Sequence, residues 1–193
     1  MRIGFSWLVG TLFAACFGPA GYSAVPQFVA NSEQGEVRFL AIGNPSAMKI
    51  VGRGKGPEGQ LGIEPSGPQG SDQLTVQGGF KFMLASLDTG LALRNRHLQE
   101  KYLLLAKYPT AEVWIMKSEL KLGTEGDFKG FMQLHGVTKP VSGKLKVSAT
   151  APSWRVQARF SVQLDDFEIG VPSFAGITVA KQVDVEVETV LKP

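Results

Sequence analysis

From Glu36 onward, apolar and polar side chains alternate one by one, segment after segment. The two longest runs lie near the C-terminus. Trp154, Val156, Ala158, Phe160, Val162 and Leu164 share one parity, against Arg155, Gln157, Arg159, Ser161 and Gln163. Val183, Val185 and Val187 stand against Asp184, Glu186 and Glu188. Shorter runs cover residues 36–39, 48–50, 74–77, 80–82 and 144–147. Trp114, Met116, Leu120 and Leu122 share a parity opposite Lys117, Glu119 and Lys121. A strand sends successive side chains to opposite faces, so each segment has one dry and one wet face. About eight such strands imply an all-β closed barrel or a sandwich. Closure also removes the exposed strand edges that invite aggregation.

Glycine and proline punctuate the strands. Residues 52–70 are the densest in them and leave room for one short strand around Leu61 and Ile63. One segment, residues 91–104, reads as a helix, with Leu91, Leu98 and Tyr102 able to share a face. Asp88 or Thr89 is placed to cap it. Lys107-Tyr108-Pro109 ends it, because the residue before proline avoids helical angles.

The chain has 193 residues. Residues 1–24 read as a signal peptide: Arg2, an apolar run over residues 5–17, then the small residues Gly21, Ser23 and Ala24. That run is short for a membrane span, and no later stretch is long enough to cross a bilayer. Residues 25–193 then form one domain, large enough to bury a core. The single cysteine, Cys16, lies in the leader, so the mature chain has no disulfide and no thiolate chemistry. Phe13-Ala14-Ala15-Cys16 loosely resembles a lipoprotein processing box, but Phe13 stands where leucine is expected. Lipoprotein anchoring through Cys16 is therefore the less favoured reading. The expected location is the periplasm, or outside the cell, after cleavage.

Composition and motifs argue against several functions. The net charge is only +3 and no basic block stands out, which speaks against nucleic-acid binding. His97 and His135 are the only histidines, a poor start for a metal site. Gly52-Arg53-Gly54-Lys55-Gly56 lacks the spaced Gly-Lys-Ser/Thr ending of a phosphate loop. Asp165 and Asp166 are adjacent, and neighbouring strand residues face opposite sides, so they are badly placed to share a proton. There is no G-x-S-x-G elbow. An enzyme is not expected.

Several short strings resemble those of one family. Asp88-Thr89-Gly90, Arg94-Asn95-Arg96-His97-Leu98 and Lys107-Tyr108-Pro109 are similar to the D-T-G, R-D-x-H-L and K-Y-P block of YceI-like proteins. Gly130 and then Leu134-His135-Gly136-Val137-Thr138-Lys139-Pro140-Val141 resemble that family's L-x-G-V-T-K-P-V string. Asp166-Phe167-Glu168-Ile169-Gly170 resembles its D-F-G-I element. The resemblance runs over residues 28–192. It implies a lipocalin-like eight-stranded antiparallel barrel with one helix against the barrel end, in a periplasmic or secreted protein that binds an isoprenoid or fatty acyl lipid inside. Three departures stand out. Asn95 replaces the usual Asp, Glu168 interrupts D-F-G-I, and Leu104-Leu105 replace an aromatic pair.

These readings converge on a carrier or sequestering protein with an apolar interior. The lumen candidates are Phe39, Met48, Ile50, Phe80, Phe82, Trp114, Met116, Met132, Phe160 and Val162; packing the core is the plainer role for each. Arg94, His97, Tyr102 and Tyr108 are candidates for a rim that meets a lipid head group. The alternative is that Asp88 pairs with Arg or His and fixes the helix. No metal or cofactor is expected beyond a bound polyisoprenoid, quinone-like or fatty acyl lipid. The expected partner is that small lipid, with no nucleic acid and no stable membrane span; a homodimer is left open. A competing reading is a structural or adaptor barrel with a filled core that acts through its outer surface.

Overall fold

The computed structural model describes residues 26–44, 48–174 and 177–193. The expected signal peptide, with Cys16, lies outside these residues. The strands are β1 (Gln27–Asn44), β2 (Lys49–Lys55), β3 (Glu58–Ser66), β4 (Gln73–Met83), β5 (Thr110–Lys121), β6 (Glu125–Leu134), β7 (Val137–Thr150), β8 (Ser153–Gln163), β9 (Ser173–Phe174) and β10 (Ile177–Lys192). All pairings are antiparallel. One edge of β1 pairs with β3 over residues 27–30 and with β2 over residues 36–42. Its other edge pairs with β10 and closes the sheet on itself. β2 and β3 thus occupy one bent wall position, interrupted at Gly56-Pro57, and β9 adds only two residues beside β10. The result is a closed eight-stranded up-and-down barrel.

The glycine-rich stretch therefore carries strand on both sides of Gly56-Pro57, rather than one short strand around Leu61. Gly52 shows why glycine suits a wall here. A Cβ at Gly52 would sit 2.0 Å from the Phe39 ring, which lies across the space the missing side chain leaves. At Gly56 the close neighbour is backbone: a Cβ there would lie 2.5 Å from the Gly35 Cα.

The helical segment is also shorter than its sequence suggests. Helix α1 spans Ala92–His97 and runs into a π-helical turn at Leu98–Tyr102. Its N-cap is Leu91, with no side-chain cap. It stops before proline is reached, because Leu104 adopts a left-handed conformation at φ 50° and the chain turns there.

In β5 the parity changes partway. Val76 pairs with Ser118 while Gly78 pairs with Ile115, so one residue of β4 faces the two residues Met116 and Lys117. This bulge inverts the inside–outside assignment. Ala111, Val113 and Ile115 point inward before it, and Ser118 and Leu120 after it. Trp114 and Met116 consequently stand on the outer wall, 40% and 52% exposed. The inward orientation expected for both is corrected by one extra residue.

One end of the barrel is filled and the other is not. Away from α1, Leu61, Val76, Leu145, Val147, Leu191 and Phe128 pack to near-complete burial. Toward α1 the walls enclose open space.

Candidate functional site

The open end encloses a cavity of about 680 Å³. Its walls come from β1, β2, β4, β5, β6, β8 and β10, and its cover from the segment that links β4 to β5. Of the residues expected in the lumen, Phe39, Ile50, Phe82, Met132, Phe160 and Val162 line this cavity. Met48 lines it at the exposed rim. Phe80 packs in the core instead. Trp114 and Met116 are outside, as the β5 bulge requires.

The polar groups that line the cavity are few and gather mainly at its covered end: Thr89, Arg94, His97, Tyr102 and Ser173, with Ser86 and Lys55 beside them. Lys55 is held by Glu33, 2.5 Å away, and that hydrogen bond raises its pKa above the ordinary value. The Ser173 N–H donates to the Tyr102 hydroxyl at 3.3 Å, which ties the π-turn to the β8–β10 connection.

Tyr108 departs from the rim expected for it. Its ring lies 4.7 Å from that of His135 and occupies the space beside Gly136, where a Cβ would come within 2.6 Å of it. His135 and Gly136 form the two-residue β6–β7 hairpin turn, both with positive φ (53° and 79°), as a type I′ turn requires. The His135 ring contacts the Phe167 carbonyl through Nδ1 at 3.1 Å. That carbonyl can only accept, so the proton is on Nδ1. The Leu104-Leu105 pair does not reach the cavity either: Leu104 is exposed and Leu105 packs against the core.

The cover is fastened by a local network. The Arg53 and Asp88 backbones exchange hydrogen bonds at 2.8 and 2.7 Å, joining the cover to β2. Asn95 donates from Nδ2 to Asp88 Oδ1 at 2.7 Å and accepts from the Thr89 hydroxyl and backbone N–H at 2.6 and 2.8 Å. Arg94 donates to the Thr89 hydroxyl at 2.8 Å and to its carbonyl. The Asp88 carboxylate thus has Asn95 as a side-chain partner. A carboxylate at position 95 would set two like charges against each other; the amide supplies a donor and an acceptor at once.

The hydrogen bonds from Asn95 and from the Gly90 N–H favour the charged form, and Asp88 titrates below the usual carboxylate range. A depressed folded-state pKa contributes stability that is present above the unfolded value of about 3.9 and is lost as pH falls through the folded value. Acidification below about pH 4 should therefore loosen the cover. Hydrogen exchange at the Gly90 amide, corrected for intrinsic rates, reads this directly. Protection should fall with acid in the parent and be low and pH-independent in Asp88→Ala.

Leu87 and Ile169 also line the cavity, from irregular segments where no periodicity marks them, and Leu164 lines it at the end of the parity run through β8. Val183 and Val185 line it from β10, and their parity in the sequence was the available signal. Glu168, the residue that interrupts D-F-G-I, sits at φ 56° and closes the 3₁₀ turn Leu164–Phe167. A non-glycine residue costs about 1 kcal/mol there. Glu168→Gly should hold or raise stability, by up to about 1 kcal/mol, in urea unfolding; a clear loss would mean that the Glu168 side chain supports the turn.

Among the described residues, no group of three or more His, Cys, Asp or Glu is placed to hold a metal ion. No described helix is long and apolar enough to cross a membrane.

The chain matches a family model described as a YceI-like domain over residues 28–191. It is 30% identical over 171 residues to Protein YceI of Escherichia coli O157:H7, covering 84% of this chain and 86% of that protein. Protein YceI of Shigella sonnei (strain Ss046) matches at the same identity and coverage. Two solved structures share the fold. A polyisoprenoid binding domain from Saccharophagus degradans superposes with a TM-score of 0.62 at 15% identity, covering 86% of this chain and 97% of that one. Burkholderia cenocepacia BcnA superposes with a TM-score of 0.64 at 12% identity, covering 85% and 99%.

Proposed function

This chain belongs to the YceI-like family, and on that premise we propose that it binds one isoprenoid or fatty acyl lipid in the open end of its barrel, for carriage or sequestration in the periplasm. The observation that carries this reading is the cavity of about 680 Å³, apolar along its length and polar at its covered end. Its size lies within the roughly 300–1,000 Å³ range of small-molecule sites. An apolar tail gains about 0.8 kcal/mol for each methylene it buries, so a long chain needs few polar contacts. In this reading Phe39, Ile50, Phe82, Met132, Phe160 and Val162 wall the tail and Met48 flanks the mouth. Arg94, His97 and Tyr102 meet the head group.

The polyisoprenoid binding described for the Saccharophagus degradans domain supports an isoprenoid or quinone-like tail over a shorter ligand. Periplasmic placement draws on the signal-like residues 1–24. The role is binding, with no catalytic step. Native mass spectrometry of purified protein, followed by solvent extraction, tests it. A stoichiometric apolar lipid is the expected finding. A protein that carries none, and takes up none from mixed micelles, would falsify the proposal. The competing adaptor reading draws on Trp114, Met116 and Phe131, exposed on the outer wall; it predicts a protein partner lost in Trp114→Ser/Phe131→Ser and no lipid.

A further inference from the structure

Four large apolar side chains stand in solvent around the mouth of the cavity. Leu91, Leu93, Met83 and Met48 are 58%, 49%, 43% and 41% exposed, and all four also line the cavity. They come from three separate parts of the chain: the start of α1, the end of β4 and the residue before β2. A scattered exposed leucine needs no explanation, but a ring of them around one opening does. Burying what remains exposed of each would gain about half of what burying a whole core side chain gains.

The charges beside this ring have one prevailing sign. Over residues 88–102, Arg94, Arg96 and Lys101 outnumber Asp88 and Glu100, and Lys49 adjoins Met48. Among the described residues none of these four cations is in an ion pair. Arg94 donates to Thr89 through Nε and Nη2, and Lys101 lies 5.2 Å from the centre of the Tyr102 ring. Arg96 is exposed and outside the cavity lining.

An apolar rim flanked by an excess of cations is complementary to an anionic bilayer surface, where side chains of the first kind enter the acyl boundary and those of the second meet phosphates. We propose that the barrel docks mouth-down on an anionic phospholipid membrane through Leu91, Leu93, Met83 and Met48, with Arg96, Lys101 and Lys49 on the head groups. The inference deepens the lipid-carrier reading and rests on it in one respect: docking would let a lipid pass between bilayer and cavity without crossing water.

The test is flotation with vesicles of phosphatidylethanolamine and phosphatidylglycerol, against vesicles of phosphatidylcholine alone. It uses protein without residues 1–24, since barrel closure needs only residues 27–192. Binding should favour the anionic vesicles by at least about tenfold and weaken in molar salt, where the screening length falls to about 3 Å. Leu91→Asp/Leu93→Asp should reduce it at least about tenfold. Arg96→Glu/Lys101→Glu should do the same while leaving uptake of an apolar fluorescent dye from detergent-free buffer unchanged.

Equal binding to both vesicle types, or binding indifferent to both double variants, overturns the proposal. So does a dimer in sedimentation velocity that Leu91→Asp/Leu93→Asp splits, with no vesicle binding, since a second copy would then cover the rim. Dye uptake separates this from the parent reading. A chain that floats with anionic vesicles but takes up no dye keeps the docking and loses the hollow-barrel function.

Discussion

Val162→Trp should weaken binding of a long-chain lipid by about fiftyfold and leave the barrel folded. Val162 lines the cavity from β8, next but one to Phe160 and below the turn that begins at Leu164. An indole there projects into open space rather than into packed neighbours, so the overpacking penalty of a filled core does not apply. It does occupy volume that the tail needs. Displacing about three methylenes forfeits roughly 2.4 kcal/mol, at about 0.8 kcal/mol each. Titration with a fluorescent polyprenyl or fatty acyl probe measures the loss. Circular dichroism and the urea midpoint establish that the fold survives. Unchanged affinity in a folded variant would mean that the tail does not run past Val162.

Phe128→Ala should cost about 3–5 kcal/mol, in the upper range for a core truncation. Phe128 is 1% exposed and meets Phe160 edge to face, with centroids 6.2 Å apart. It belongs to the filled part of the barrel, while Phe160 lines the cavity. The neighbouring wall cannot fill the gap, because the residue beside the Phe128 ring is Gly143, where even a Cβ would come within 3.0 Å of it. A void left there stays a void. For a domain of this size the loss lowers the melting temperature by roughly 6–20 °C. Removal of the ring should also extend the cavity downward, so the variant should accept a longer tail than the parent. A loss under about 1.5 kcal/mol would show that the strands collapse onto the gap.

Much of this architecture was legible in the sequence, because strand periodicity survives translation into three dimensions. β8 kept its parity from Trp154 to Leu164, and Val183, Val185 and Val187 all face inward as their alternation says. The family strings added closure and the helix at one end. Legibility failed where local geometry broke the count. One bulged residue in β5 sent Trp114 and Met116 outside. Glycine pairs at close strand approaches, read as turns, proved to be wall in β2 and β3. The left-handed Leu104 ended the helix earlier than Pro109 would have.

The candidate site divides along the same line. Which side chains are apolar on one face was written in the order of residues, and seven of the ten lumen candidates line the cavity. That the barrel is hollow toward α1 was not. Hollowness depends on whether side chains from facing walls meet, and those walls are far apart in the chain. The same holds for Tyr108, drawn away from the rim by the gap above Gly136, and for Asn95, whose amide holds the cover through Asp88 and Thr89. Alternation by itself determined that this protein has a dry face. Only the tertiary structure decided where that face packs against itself and where it encloses space, because packing is set by contacts between distant strands and periodicity is set by neighbours along one.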